Sequence, residues 1–109
     1  SREVAVDLLP PAPDPMTWAQ TPKETHGTPG TFNNYYATMK ATPATDESGG
    51  VEYYFQCTTE SAFSSNWQTS PEYSVLVGRA GQQHRFRVKA RDISANHNET
   101  GWSSELPSK

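Results

Sequence analysis

Few residues in this chain are of a type and spacing that could do chemistry. The three histidines, His26, His84 and His97, fall in separate segments, so no His pair is set up for acid–base work. Serines are plentiful, yet no Gly-x-Ser-x-Gly nucleophile elbow occurs. The single cysteine, Cys57, lies on the inward phase of an alternating stretch, where a thiol behaves as a small inert hydrophobe. Paired carboxylates for glycoside cleavage need a cleft, and short loops offer little of one. These observations point away from an enzyme.

Hard-cation binding has a better basis. Asp92, Ser94, Asn96, Asn98 and Glu99 place oxygen-bearing side chains along one loop, and Asp46 and Glu52 flank another. Calcium takes six to eight oxygens from such loops. The spacing is not that of an EF-hand. The plainer alternative is that Asp and Asn make turns by bonding their own backbone. Calcium is therefore an optional cofactor, with Asp46, Glu52, Asp92, Asn96 and Asn98 as candidate ligands, and no cofactor is required.

A third constellation is a row of cations. Arg85, Arg87, Lys89 and Arg91 alternate with His84, Phe86, Val88 and Ala90. On a strand that rhythm turns the cations to solvent. Glu52, Tyr54 and Gln56 share the outward phase of Val51–Thr59, which is expected alongside. One reading is simple cross-strand charge pairing. The other is a face for an anionic glycan, with Tyr54 as platform and arginines as anion contacts. A single Glu opposite three or four cations leaves excess positive charge. Among the aromatics, Trp18 and Trp102 are expected to cover the core, and Trp67 to be half-buried. The loop from Ser61 to Gln68 joins Phe63 and Trp67 to Ser, Asn and Gln, a composition suited to sugar contact. The candidate carbohydrate-binding residues are Trp67, Tyr54, Phe63, Arg85, Arg87 and Lys89.

The elements that must position these residues read as strands. The 109 residues suit one domain, with a core large enough to need no disulfide. Apolar residues are 33% and charged residues 19%, with Thr, Ser, Asn, Gln and Pro filling the gap. Mean hydropathy is -0.81, but twelve aromatics supply buried mass. A net charge of -3 argues against nucleic acid as partner. No apolar run approaches a membrane span, and no signal peptide is present. Four prolines between Pro10 and Pro15 mark an extended lead-in. A first strand around Met16 and Trp18 is expected to stop at Thr21-Pro22, with 23–34 as a turn-rich connection. Period-2 alternation then predicts strands over 35–42, 51–59 and 84–91, with shorter ones at Trp67-Gln68, at Tyr73–Val77 and at Trp102–Leu106. Turn signals about every ten residues predict an all-β, seven-stranded antiparallel sandwich of two sheets.

In order, Val51-Glu-Tyr-Tyr-Phe, Trp67, Tyr73-Ser-Val, Phe86-Arg-Val-Lys-Ala-Arg-Asp and Gly101-Trp-Ser-Ser-Glu resemble a fibronectin type III domain, an immunoglobulin-like sandwich. One departure is His84, which stands where the family's corner tyrosine is usual. Asp46-Glu-Ser-Gly-Gly-Val-Glu-Tyr-Tyr-Phe together with Arg91-Asp-Ile-Ser-Ala-Asn-His-Asn-Glu-Thr-Gly-Trp is similar to modules appended to secreted bacterial polysaccharide-degrading enzymes, agarases and porphyranases among them. The resemblance implies a linker at 1–10, a module at 11–107 and a tail at 108–109. It further implies a secreted, monomeric, non-catalytic accessory module. Its expected partners are a polysaccharide, such as a sulfated galactan, and other modules of the same chain, with no nucleic acid and no membrane. A ligand-free spacer and a protein-interaction domain of an adhesion-type protein are the alternatives.

Overall fold

The computed structural model describes residues 10–26, 35–46, 49–78 and 84–108. Most of the expected linker, the connection at 27–34 and the turns at 47–48 and 79–83 lie outside the described residues. Six strands are present: β1 (Trp18–His26), β2 (Tyr35–Ala41), β3 (Val51–Cys57), β4 (Glu72–Gly78), β5 (Arg85–Asp92) and β6 (Leu106–Pro107). They form two three-stranded antiparallel sheets, in the orders β1-β2-β4 and β3-β5-β6.

The two-residue rhythm of the sequence becomes the burial pattern of the sheets. Ala37, Met39 and Ala41 of β2 face Tyr53, Phe55 and Cys57 of β3 and Phe86, Val88 and Ala90 of β5, all buried in one core. Phe55 is its centre. The Tyr73 ring of β4 stacks on it at 5.3 Å and the Trp18 ring of β1 tilts against it at 6.2 Å, so the second sheet is tied to the first through one side chain. The Tyr73 hydroxyl also donates to the Phe63 carbonyl at 2.7 Å. Trp18 closes the flank, its Nε1 donating to the Ser104 carbonyl at 2.9 Å.

Three expectations about strands change. β1 does not stop at Thr21-Pro22 but runs to His26, with its pairing to β2 slipping around Pro22. A strand tolerates proline at such an irregularity, where no ladder N–H is needed. The expected seventh strand at Trp67-Gln68 shrinks to one bridge, Tyr53 with Gln68, and the last strand shortens to Leu106–Pro107.

Both changes beside β3 and β5 have the same cause. Buried N–H groups must find acceptors, but the acceptor need not be a carbonyl. On the outer edge of β3, Phe55 N–H donates to Ser65 Oγ at 2.9 Å and Cys57 N–H to Ser64 Oγ at 3.0 Å. On the outer edge of β5, Val88 N–H donates to Ser103 Oγ at 2.9 Å and Ala90 N–H to Thr100 Oγ1 at 3.0 Å. The same segments return their own N–H groups: Ser65 to Phe55 O, Ser103 to Val88 O and Thr100 to Ala90 O, each at 2.8 Å. Side-chain hydroxyls thus replace regular strand pairing. Ser103→Ala leaves the Val88 N–H buried without an acceptor and is expected to cost about 1–3 kcal/mol, against less than about 0.5 kcal/mol for the exposed neighbour Ser104→Ala. Urea unfolding of the two variants checks this, and equal losses would refute the account.

Candidate functional site

The outward face of the β3-β5-β6 sheet carries a stack of cations and rings. Strand geometry spaces Arg85, Arg87, Lys89 and Arg91 about 7 Å apart on one side of β5. Two indoles fit between them. The Arg87 guanidinium lies 4.0 Å from the Trp102 ring, with the Lys89 ammonium 4.7 Å from the same ring. Lys89 is 5.9 Å and Arg91 4.2 Å from the Trp67 ring. Tyr54, the cross-strand partner of Lys89, sits between the indoles, 5.5 Å from Trp67 and 5.7 Å from Trp102. Such contacts contribute about 0.5–1 kcal/mol each where half-exposed, so the stack holds its own side chains in place.

The charges are matched more fully than a single Glu52 allows. Arg91 Nε donates to Glu52 Oε1 at 2.8 Å, Lys89 Nζ lies 2.7 Å from Glu99, and Arg85 Nε donates to Glu105 at 2.8 Å. Glu99 and Glu105 come from the irregular final segment, whose phase the sequence does not announce. Arg87 differs: its Nε donates to the neutral Gln56 Oε1 at 2.7 Å. Four cations against three carboxylates leave one positive charge on this face, centred on Arg87. The hydrogen bond from Arg85 holds the Glu105 carboxyl below the usual range against the opposing effect of desolvation, helped by the Thr58 hydroxyl and by the charges of Arg85 and Arg87.

The expected binding residues divide. Trp67, Tyr54, Arg85, Arg87 and Lys89 come together on this face. Phe63 does not; it ends a 3-10 turn at Ser61–Phe63, packs against the core, and meets the buried His84 ring edge-on at 5.0 Å. Trp102, expected to cover the core, instead stands in the stack. Its flanking Thr100 and Ser103 anchor to β5 by their hydroxyls, and that anchoring turns the residue between them outward. A Thr-x-x-Ser spacing around the indole is the sequence signal that marks it. At the corner position, His84 Nδ1 lies 3.4 Å from Thr59 Oγ1, and its shielded Nε2 has no hydrogen-bond partner among the described residues.

Of the candidate calcium ligands, Glu52 and Asp92 have protein partners. Glu52 pairs with Arg91. The Asp46 carbonyl accepts the Gly49 N–H at 3.0 Å, and Asn96 lies at the exposed turn of the loop after β5. Asp92 is fully buried. Its Oδ1 accepts from the Ser94 N–H (3.1 Å), the Ser94 hydroxyl (2.7 Å) and the Asn98 N–H (3.1 Å), and its Oδ2 from Asn98 Nδ2 (2.8 Å). That is turn chemistry, with one carboxylate organising the whole loop and His97 taking a left-handed φ of 47° inside it. Among the described residues, no group of three or more His, Cys, Asp and Glu side chains is placed to hold a metal.

Burial pushes the Asp92 carboxyl up, but the bonds from Ser94 and Asn98 outweigh it and hold the group below the usual carboxylate range. A carboxyl depressed on folding stabilises the native state above its unfolded pKa of about 3.9 and loses that contribution as pH falls through the folded value. Asp92→Ala is expected to cost about 2–4 kcal/mol at pH 7. The gap from the parent chain should narrow in denaturant titrations carried below about pH 4; a gap constant with pH would count against the carboxylate as organiser. Comparison with protein-family models, curated proteins and solved structures finds no match to this chain.

Proposed function

We propose that this chain is a fibronectin type III-like module that lends binding rather than chemistry to a secreted polysaccharide-degrading protein. Its ligand is an anionic polysaccharide such as a sulfated galactan, held along the outward face of the β3-β5-β6 sheet. The observation that carries this reading is the interleaving of Arg87, Trp102, Lys89, Trp67 and Arg91 around Tyr54, with Arg87 left as the uncompensated cation. Flat rings offer contact to the apolar C–H face of a sugar. A guanidinium with open donors suits a sulfate ester, which it can bind with two parallel bonds. The β1-β2-β4 and β3-β5-β6 sheet orders and the buried His84 at the corner position are compatible with the family resemblance. The groups that chemistry would recruit have other tasks: Cys57 fills the core and Asp92 organises a loop.

A second reading, that of a ligand-free spacer, draws support from one specific observation. Arg85, Lys89 and Arg91 each already hold a glutamate. Native gels cast with carrageenan separate the two. The binding module is retarded, Arg87→Gln weakens retention about tenfold, and retention fades as salt rises from about 0.01 to about 1 M, where the screening length drops from about 30 to about 3 Å. A spacer migrates freely in carrageenan, porphyran and agarose alike.

A further inference from the structure

The β1-β2-β4 sheet turns a second face to solvent, on the far side of the sandwich from the cation stack. Register sets Gln20, Lys40 and Glu72 side by side in one row and Lys23, Thr38 and Ser74 in the next. Between these rows β1 carries an extra residue, since Gln20 to Lys23 spans the same interval as Lys40 to Thr38. The extra residue bends β1 away from a regular ladder, as bulges do, with Pro22 buried beneath it. From the other side, the 68–71 loop is fixed against β4: Gln68 Nε2 donates to the carbonyls of Ser70 (2.9 Å) and Glu72 (2.7 Å), and the Glu72 N–H donates to Ser70 Oγ (3.1 Å).

The result is a groove of about 370 Å³ whose lining includes Gln20, Thr38, Ser70, Glu72 and Ser74. That volume lies within the range of about 300–1,000 Å³ usual for small-molecule sites. Thr38 Oγ1 is shielded from solvent and has no hydrogen-bond partner among the described residues. A shielded hydroxyl without a partner is unfavourable and calls for an explanation. Thr38 lines the groove, and a ligand hydroxyl that reaches Oγ1 supplies the missing bond.

We propose that this groove is a saccharide subsite for an unsulfated sugar unit, separate from the cationic face. Beside the apolar surface of Met39 and Tyr73, the lining offers hydroxyls, an amide and one carboxylate, a set that pairs with sugar hydroxyls as donors and acceptors. Glu72, which pairs with Lys40 at 3.8 Å, accepts from hydroxyl groups. This subsite stands whether or not the cationic face binds.

The test is a titration of the ¹⁵N-labelled chain with a neutral agarose tetrasaccharide, followed by NMR. Shifts are expected at the amides of Gln20, Thr38, Glu72 and Ser74, with affinity falling about tenfold in Thr38→Val. That variant removes the unpartnered hydroxyl, so its melting temperature should hold or rise. The proposal is overturned by an absence of shifts on β2 and β4 at millimolar sugar, or by unchanged affinity in Thr38→Val. Shifts confined to the Trp67 and Trp102 indoles would also overturn it, while leaving the cationic face as a binding site.

Discussion

The β3–β5 pair is buried on its inner face, and its two outer edges must still satisfy every N–H and C=O. Regular strand pairing covers only the end near Arg85 and Phe86, through β6. Apart from backbone bridges at Tyr53–Gln68 and Arg91–Glu99, the hydroxyls of Ser64 and Ser65 serve one edge and those of Thr100 and Ser103 the other. A hydroxyl contact fixes its segment at a point and leaves the intervening backbone free to depart from the strand path. Trp67 follows the first pair of anchors and Trp102 lies between the second. Both indoles are thereby placed on the outward face, one on each side of Tyr54. Flat, fully paired edge strands would alternate side chains strictly and send some of these rings inward. The aromatic-cationic face thus depends on the way in which backbone polar groups are satisfied beside it.

Asp92 applies the same solution at the end of β5. Its carboxylate takes four hydrogen bonds from Ser94 and Asn98, in a place where a further strand or a bound ion would otherwise have to organise the loop. A buried charge is tolerated only when its acceptor capacity is filled, and here it is filled locally. Loop acids that suggest a cation site from sequence are the same acids that close turns, because both tasks need short side chains with oxygen acceptors.

The core was legible in the sequence because alternation is a local property. Ala37-Met39-Ala41, Tyr53-Phe55-Cys57 and Phe86-Val88-Ala90 all face inward as their spacing dictates, and Arg85, Arg87, Lys89 and Arg91 face out. The rhythm fails where the chain stops being a regular strand. Trp102, Glu99 and Glu105 lie in such a segment, so neither the side taken by the indole nor the glutamates that neutralise Lys89 and Arg85 follow from period alone. Phe63 was misplaced for a related reason. A polar loop composition hides a turn that drops one ring onto His84 and the core. Pro22 within β1 is the mirror case, a residue that reads as a stop and instead sits buried at a strand irregularity.

The balance of charge on the outward face bears on what kind of binding it suits. A cation already paired with a glutamate must give up that partner or share it before it holds a sulfate, so most of the attraction is offset by what is displaced. Arg87 escapes this exchange, since its partner is a neutral amide that the guanidinium can keep through Nε. On the function proposed above, one such contact beside a pair of indoles would give weak affinity for a single sugar unit. A polymer presents the same unit many times, and a module tethered to a larger protein meets it at high effective concentration, so weak contacts accumulate into retention without slow release.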